Sequence, residues 1–538
     1  MKKIYLYLSL LVTVVSLGSC SDNEYSDKFN NPSTVTKTSP DKLMTGVFYT
    51  ARTYTFQSYW RMYTWDNMTT GKFAQTSGFI NSQGSLYSVA DSYANDRWVN
   101  YYKTLAQFRA LQDVYNGLPE NSKTANRIFV DLAEVFMYDH LSQIVDDFGD
   151  VPFTKAGYIS ISGDLKSSYA SYDKATDIYT IMLDRLGELY KDINTLKGSL
   201  TSNTSTLLKD QDFDNGGDLD KWERYCNSLR LRLAVRVASQ GALSAKGKQV
   251  VSEILTGNYP LVSNLDQTIK LDANDNDPSN FFDPDGLRTG YGFDSPASPI
   301  SWASQAMLDV LTKTVSGEND PRLPIMYSKN ATGKYRGLST REAEGVQTDN
   351  LALANSARVY SRIDSTTVGY NTSFVSPIFT PAEVDFLKAE AYQKGWVAGD
   401  AKTAFVNGVL HSAQFYFMEN KISPSTGGTK MDMPAESVIN SYAAKAWDAS
   451  TNKEEVIITQ KWLNFGYFQS PQAWNEVRRT GYPQLYYPED PLAQVFKTVP
   501  NRIRYPNAER SYNTANYDAQ IQSMGGIDNA YLKIFWAK

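Results

Sequence analysis

Cysteine and histidine are nearly missing from this chain, with two of each in 538 residues. The histidines, His140 and His411, stand far apart, so a zinc site or a histidine-based catalytic triad has too few groups to draw on. Basic clusters of the kind that grip phosphate backbones are also lacking. With a net charge of -5, that argues against nucleic acid as a partner. Long apolar runs are scarce too. The stretch from Ile4 to Val15 is too short to cross a bilayer, which takes roughly 20 apolar residues, and nothing further along reads as transmembrane.

That short stretch does carry a message. Lys2 and Lys3 precede it, and Leu17-Gly18-Ser19-Cys20 follows it. A basic start, an apolar core and small residues at the cut make residues 1–19 a signal peptide. The ending resembles the lipobox of bacterial lipoproteins, whose cysteine carries acyl chains such as palmitate and becomes the new N-terminus; the competing reading is an ordinary signal peptide with a chance cysteine. Lipidation of Cys20 would tie the protein to a membrane and leave Cys226 as the remaining thiol, so no internal disulfide is expected. Ser21-Asp22-Asn23-Glu24-Tyr25-Ser26-Asp27 is acidic and polar. It resembles the tag that sends Bacteroidota lipoproteins to the outer face of the outer membrane, and it also serves as a solvated tether through about residue 40.

Aromatic residues are abundant: 36 Tyr, 24 Phe and 10 Trp. Most must be core, since each buries a large area. Tyrosine also suits wet surfaces, where an apolar face beside a hydroxyl matches a sugar ring. The regular elements read as helices. Three- and four-residue spacing of apolar positions predicts them over 95–115, 121–145, 173–193 and 219–238. Thr380-Pro381-Ala382-Glu383 is a capping box that opens a helix running to about Lys394, where Gly395 ends it. Further helices are expected over 401–418, 435–447, 455–467 and 471–479. Paired helices at this spacing suggest tetratricopeptide-like units. Length alone allows three or four domains. The segment from Tyr259 to Phe379 is punctuated by Gly, Pro, Asn and Asp and is too long for a simple loop, which makes it an insertion that is either functional or a subdomain.

Several motifs, in order, resemble one family. They are Asp147-Phe148-Gly149-Asp150-Val151-Pro152-Phe153; Gly216-Gly217-Asp218 leading to Trp222; and Asn227-Ser228-Leu229-Arg230-Leu231-Arg232-Leu233-Ala234. Then come Asp320-Pro321-Arg322-Leu323, Ala389-Glu390-Ala391-Tyr392 and Ala473-Trp474-Asn475-Glu476-Val477-Arg478-Arg479-Thr480-Gly481-Tyr482-Pro483. Arg502-Ile503-Arg504-Tyr505-Pro506 and Gly525-Gly526 close the set. Together they resemble the SusD/RagB family of nutrient-binding outer-membrane lipoproteins, closest to its SusD-like branch. Tyr225-Cys226 departs from the commoner Phe-Ala. The resemblance implies a single domain over 41–538, with a mostly α fold of about four tetratricopeptide-like pairs, an irregular, ligand-facing half and little β. It implies a glycan or, in some members, a peptide as ligand. It also implies a SusC-like TonB-dependent transporter barrel as partner, over which the lipoprotein sits as a lid, and no chemistry.

The motifs themselves read as structural. Gly149 and Pro152 stop a helix, so Asp147 and Asp150 are poor candidates for catalysis. Arg230 and Arg232 point to different helix faces and suit buried pairing with carboxylates. Arg478 and Arg479 fit either an anionic ligand or a helix C-terminal dipole. Asp212, Asp214, Asp220 and Glu223 stand at positions 1, 3, 9 and 12 of a near-calcium loop. Against calcium, Ser199–Thr206 reads as coil rather than an incoming helix, and Asp218 suits an N-cap. Asp272-x-Asn274-x-Asn276 fits less well.

For ligand binding, two aromatic stretches stand out, one with Trp60, Tyr63 and Trp65, the other with Phe282, Tyr291 and Phe293. Asn67, Asn81, Asp283 and Asp294 are near enough to bind hydroxyls. The alternative is that these rings pack loops onto the scaffold. The resemblance favours loops from both stretches meeting in one pocket. A surface glycoside hydrolase would need two facing carboxylates about 5–10 Å apart, and no such pair is recognisable.

Overall fold

A computed structural model describes residues 38–272, 285–294, 301–315, 317–357, 359–425 and 430–538. Cys20, Phe282, Asp283, Asn274 and Asn276 lie outside the described residues. Helix dominates from Pro40 onward, and strand is sparse. The scaffold helices are α1 (Pro40–Thr55), α2 (Asp91–Asn116), α3 (Glu120–Phe148), α4 (Ala175–Lys197), α5 (Ser202–Gln211) and α6 (Leu219–Ala238). They continue with α7 (Ser244–Thr256), α8 (Pro381–Gln393), α9 (Ala401–Ile422), α10 (Glu436–Ala449), α11 (Lys453–Phe465) and α12 (Ser470–Thr480).

Local chemistry sets the ends of these helices. Asp218 accepts a hydrogen bond from the Lys221 amide at 3.2 Å, which starts α6 where the sequence placed it. The Thr380 hydroxyl accepts from the Glu383 amide at 3.3 Å, with Pro381 in the first turn of α8. Gly149 ends α3 at φ +89°, a backbone that side-chain-bearing residues rarely adopt. One expectation fails here. The stretch around Ser199–Thr206 is not coil, because Thr201 caps α5 through the Thr204 amide at 3.1 Å and Leu208 is buried.

Consecutive helices pack as pairs, α2 with α3, α6 with α7, and α8 with α9, while α10 packs on α9 and α11 on α8 and α12. Apolar faces supply most of the contact, as in α1, which buries Met44, Val47, Phe48, Ala51 and Tyr54. Buried ion pairs then tie one pair to the next. Arg232 on α6 bonds Glu383 on α8 at 2.6 and 2.7 Å and Asp139 on α3 at 3.3 Å. Arg230, on a different face of α6, works within its own pair, holding Glu253 on α7 at 2.9 and 3.0 Å. Arg236 reaches Asp146 on α3.

Between α7 and α8 the described residues leave the paired-helix pattern. Their regular pieces include the helices Gly286–Gly290, Gln305–Leu311, Leu323–Met326 and Glu344–Ala357. Strand β1 (Ile269–Asp272) pairs antiparallel with β4 (Val375–Phe379), placing Asp272 opposite Val375. The short β2 (Tyr327–Ser328) pairs with β3 (Arg362–Ile363). The β1–β4 pair joins the start of the irregular segment to its end.

Candidate functional site

Beyond α1 the chain turns through Arg61–Asn67 as a π-helical stretch, in which the Met68 amide bonds back to the Tyr63 carbonyl at 3.2 Å. Arg61 anchors it. The guanidinium bonds Asp66 at 2.9 Å, the carbonyls of Tyr54 and Thr55 at 3.1 and 2.8 Å, and that of Phe468 at 3.2 Å. Asp66 also accepts from the Ser470 hydroxyl at 3.1 Å. Burial pushes its carboxyl up while Arg61 pulls it down, with burial the stronger effect. Residues on either side of this anchored seam face outward.

Four of those outward residues are aromatic. Tyr59 is 42% exposed, and Trp60, Tyr63 and Tyr93 are half-buried. Tyr59 and Tyr63, four residues apart, stack at 5.8 Å and 23°. Tyr93, in the first turn of α2, stands edge-on to Trp60 at 5.9 Å and to Tyr63 at 6.4 Å. Asp96 fixes the arrangement by accepting from the Trp60 indole and, at 2.8 Å, from the Tyr54 hydroxyl. The result is an aromatic platform held by groups behind it, so its rings are ordered before any ligand arrives.

Tyr93 also lines a neighbouring cavity of about 460 Å³. Ser77, Ser82, Ser85 and Ser88 put hydroxyls on its walls, and Phe79 and Leu86 add apolar surface. Lys72 lines it as well; it is 9% exposed, and burial pulls its ammonium down to about 8. Among the described residues the lining includes no carboxylate.

A family model described as starch-binding and associating with the outer membrane matches residues 31–506. The chain belongs to this SusD-like family. No curated protein sequence matches it. Among solved structures, a chitin-binding protein is similar at TM-score 0.72 and 22% identity, over 92% of this chain and all of the other. A chitin-binding SusD homolog from Flavobacterium johnsoniae gives TM-score 0.68 and 20% identity, covering 92% of this chain and 98% of that one. A SusD homolog from Parabacteroides distasonis gives 0.70 and 19%, covering 93% and 98%. These likenesses establish the SusD-like fold. Among the described residues no helix is long and apolar enough to cross a membrane.

The six ring residues picked from sequence divide sharply on this SusD-like scaffold. Trp60 and Tyr63 are on the platform. Trp65, 1% exposed, faces the core and packs against Tyr54. Tyr291 is fully buried and donates to the Tyr467 carbonyl at 2.9 Å. Phe293, 7% exposed, lies over Gly369, where any Cβ would come within 2.6 Å of the ring. None of these three offers a ring face to a ligand, and Phe282 falls outside the described residues. The two stretches do meet, but as packed backbone: a Cβ on Gly290 would stand 2.6 Å from that of Met62, and one on Gly286 would stand 2.6 Å from the Gln57 carbonyl. Tyr59 opens the first of the two stretches but is not among those six, and Tyr93 lies outside both. Of the polar candidates, Asn67 lines the cavity and accepts from Ser77 at 2.8 Å. Asn81 is spent on the Ser339 carbonyl, and Asp294 pairs with Arg288.

The calcium candidates do not converge. Asp212 accepts from the amides of Asp214, Asn215 and Gly217 and from the Trp222 indole at 2.6 Å, which makes it a loop brace. Asp214 is buried without a hydrogen-bond partner among the described residues, and burial, aided by Asp212, pushes it well above the usual carboxylate range. Asp220 and Glu223 both turn to Lys197. Among the described residues no group of three or more metal-ligating side chains comes together.

Arg478 and Arg479 are both buried in the last turn of α12, and their partners are other groups of the chain. Arg479 bonds Glu390 and Glu476, while Arg478 lies 3.5 Å over the Trp474 ring and donates to the Asp146 and Asn501 carbonyls. Asp147 is buried 4.0 Å from Arg97, and Asp150 caps α4 through the Ala175 amide. The histidines are structural as well. His140 bonds Thr55 at 3.0 Å, and burial pulls it down to about 3; His411 bonds Asp385 at 2.6 Å.

Proposed function

We propose that this chain is a substrate-capture lipoprotein anchored through Cys20 to the outer face of the outer membrane. It holds an oligo- or polysaccharide on the rings of Tyr59, Trp60, Tyr63 and Tyr93 and passes it to a SusC-like TonB-dependent transporter. The observation that carries this reading is the pre-ordered platform beside a hydroxyl-lined cavity. Sugar rings present apolar faces edged with hydroxyls, and stacked aromatics beside serines complement both parts. The family's description and the chitin-binding relatives point the same way. A hydrolytic role has no support in the cavity, since glycoside cleavage uses a pair of carboxylates and the described lining includes none.

Titration calorimetry of the full-length lipoprotein in detergent against chito- and malto-oligosaccharides and against peptides tests the ligand class. Tyr59→Ala and Tyr63→Ala are each expected to weaken glycan binding roughly tenfold, about 1.4 kcal/mol, at unchanged melting temperature. Parent-like affinity in both variants would remove the platform, and binding of peptides alone would replace the glycan. Anchoring has its own check. Cys20→Ala should move the protein from the membrane fraction to the soluble one, since the acyl chains attach through that thiol. A variant that still sediments with outer membranes from cells lacking the transporter rules out the lipid anchor.

A further inference from the structure

Buried cations in this molecule come with anions or, as at Arg109 and Arg478, with backbone carbonyls. Arg61 has Asp66 at 2.9 Å, Arg232 has Glu383 at 2.6 Å, Arg322 has Asp320 at 2.7 Å and Lys461 has Glu476 at 3.1 Å. Lys72 departs from this rule. Its side chain is nine-tenths buried in the wall of the 460 Å³ cavity. Among the described residues no carboxylate forms an ion pair with its ammonium and no acceptor hydrogen-bonds it; the nearest electron-rich group is the Phe73 ring, 6.0 Å away. Burial alone accounts for its lowered proton affinity, with no charged neighbour contributing. Held at about 8, the amine is still mostly protonated at neutral pH. The stem of Lys72 is buried while its ammonium keeps contact with the solvent of the cavity and has no protein partner among the described residues. A lysine kept in that state suits an anion that arrives from outside.

We infer that the glycan held here is acidic, with a carboxylate or sulfate group of one sugar entering the cavity to pair with Lys72. Sugars on either side then lie on Tyr93 and Tyr63, and the serine hydroxyls at 77, 82, 85 and 88 meet the ring hydroxyls of the bound unit. This rests on the reading of the rings as the glycan platform. The cavity provides a single cation and no carboxylate among its described lining, so one anionic group per bound repeat matches its charge. The aromatic and apolar walls favour a sugar over an acidic peptide, whose closely spaced charges would crowd one lysine.

Binding of the full-length lipoprotein to oligogalacturonate, which carries carboxylates, and to chondroitin sulfate fragments, which carry both anions, tests the assignment against neutral chito- and malto-oligosaccharides and poly-glutamate. At least one acidic glycan should bind more tightly than the neutral ones. Lys72→Met should weaken that binding roughly 10- to 100-fold, the value of a hydrogen bond to a charged group. Lys72→Arg should retain most of it. Because the methionine variant keeps a buried stem and sheds an unpaired charge, it should melt no lower than the parent; Lys72→Gln supplies the same binding readout if methionine does not fold. Tyr63→Ala should weaken acidic and neutral glycans alike. Parent-like binding of the acidic probes by Lys72→Met, or no binding of any acidic glycan, overturns the anion assignment while leaving the platform to stand on Tyr63→Ala. Loss on Lys72→Met without loss on Tyr63→Ala removes the platform and, with it, the placement proposed here. Preference for poly-glutamate overturns the glycan class.

Discussion

Arg479→Met is expected to lower the free energy of unfolding by about 3–5 kcal/mol, the cost of breaking a buried ion pair from one side. The guanidinium joins Glu390 on α8, at 2.6 and 2.8 Å, to Glu476 within α12. All three side chains are almost fully shielded from water. Without Arg479, Glu390 keeps a buried charge and loses its ion-pair partner, and Glu476 retains Lys461 at 3.1 Å. The pH dependence follows from the same contacts. Burial alone would raise the Glu476 carboxyl, but Arg479 and Lys461 overcome burial and hold it down at about 2. A carboxylate depressed in the folded state adds stability that is present above its unfolded value near 4.5 and is lost as pH falls toward 2. The gap between parent and variant should therefore narrow in acid. Urea unfolding at pH 7 and pH 4 measures both numbers. A loss under about 1 kcal/mol at pH 7 would mean that the pair contributes no more than a surface bridge.

Trp65→Ala and Tyr291→Ala should each destabilise the protein by about 3–5 kcal/mol, as removal of a buried aromatic ring does. Trp65 packs edge-on to Tyr54 at 6.4 Å, and Tyr291 stands edge-on to Tyr467 at 6.2 Å. Tyr59→Ala, on the exposed side of the same seam, should change stability by no more than about 0.5 kcal/mol. Thermal melts on the three variants separate the two faces. Equal losses in all three would mean that Tyr59 is as much a part of the core as Trp65.

That contrast shows where sequence patterns carry the argument and where they stop. Caps and stripes are local, so Asp218, Thr380-Pro381 and Gly149 mark helix ends that three-dimensional packing does not move. The stripe Met44, Val47, Phe48, Ala51 and Tyr54 made α1 just as readable, although it was not singled out. By contrast α5 is mostly polar, with Leu208 and Thr204 as its buried residues, and its helix depends on the Thr201 cap and on packing against α1 and α3. The choice among rings is not local either. A cluster of aromatics at 59–65 signals a special region, yet which rings face water depends on the Gly286–Gly290 helix closing over Met62 from more than two hundred residues away. The pattern of α2 does not single out Tyr93 either, since it stands about five full turns from the buried Leu111 and shares that side of the helix. Lys72 gave no signal, because nothing in a sequence says that a lysine will lack a counter-charge.

The carboxylate of Asp146 receives donors from four distant parts of the chain: the Tyr179 hydroxyl, Arg236, Asn475 at 3.1 Å and the Trp536 indole at 3.0 Å. A nascent chain that has reached only α6 holds this acid with half of its donors still unmade. Its first helices therefore cannot settle into their final packing while synthesis continues. Completion waits on residue 536, so a chain cut short before Trp536 would leave this buried acid without one of its four donors.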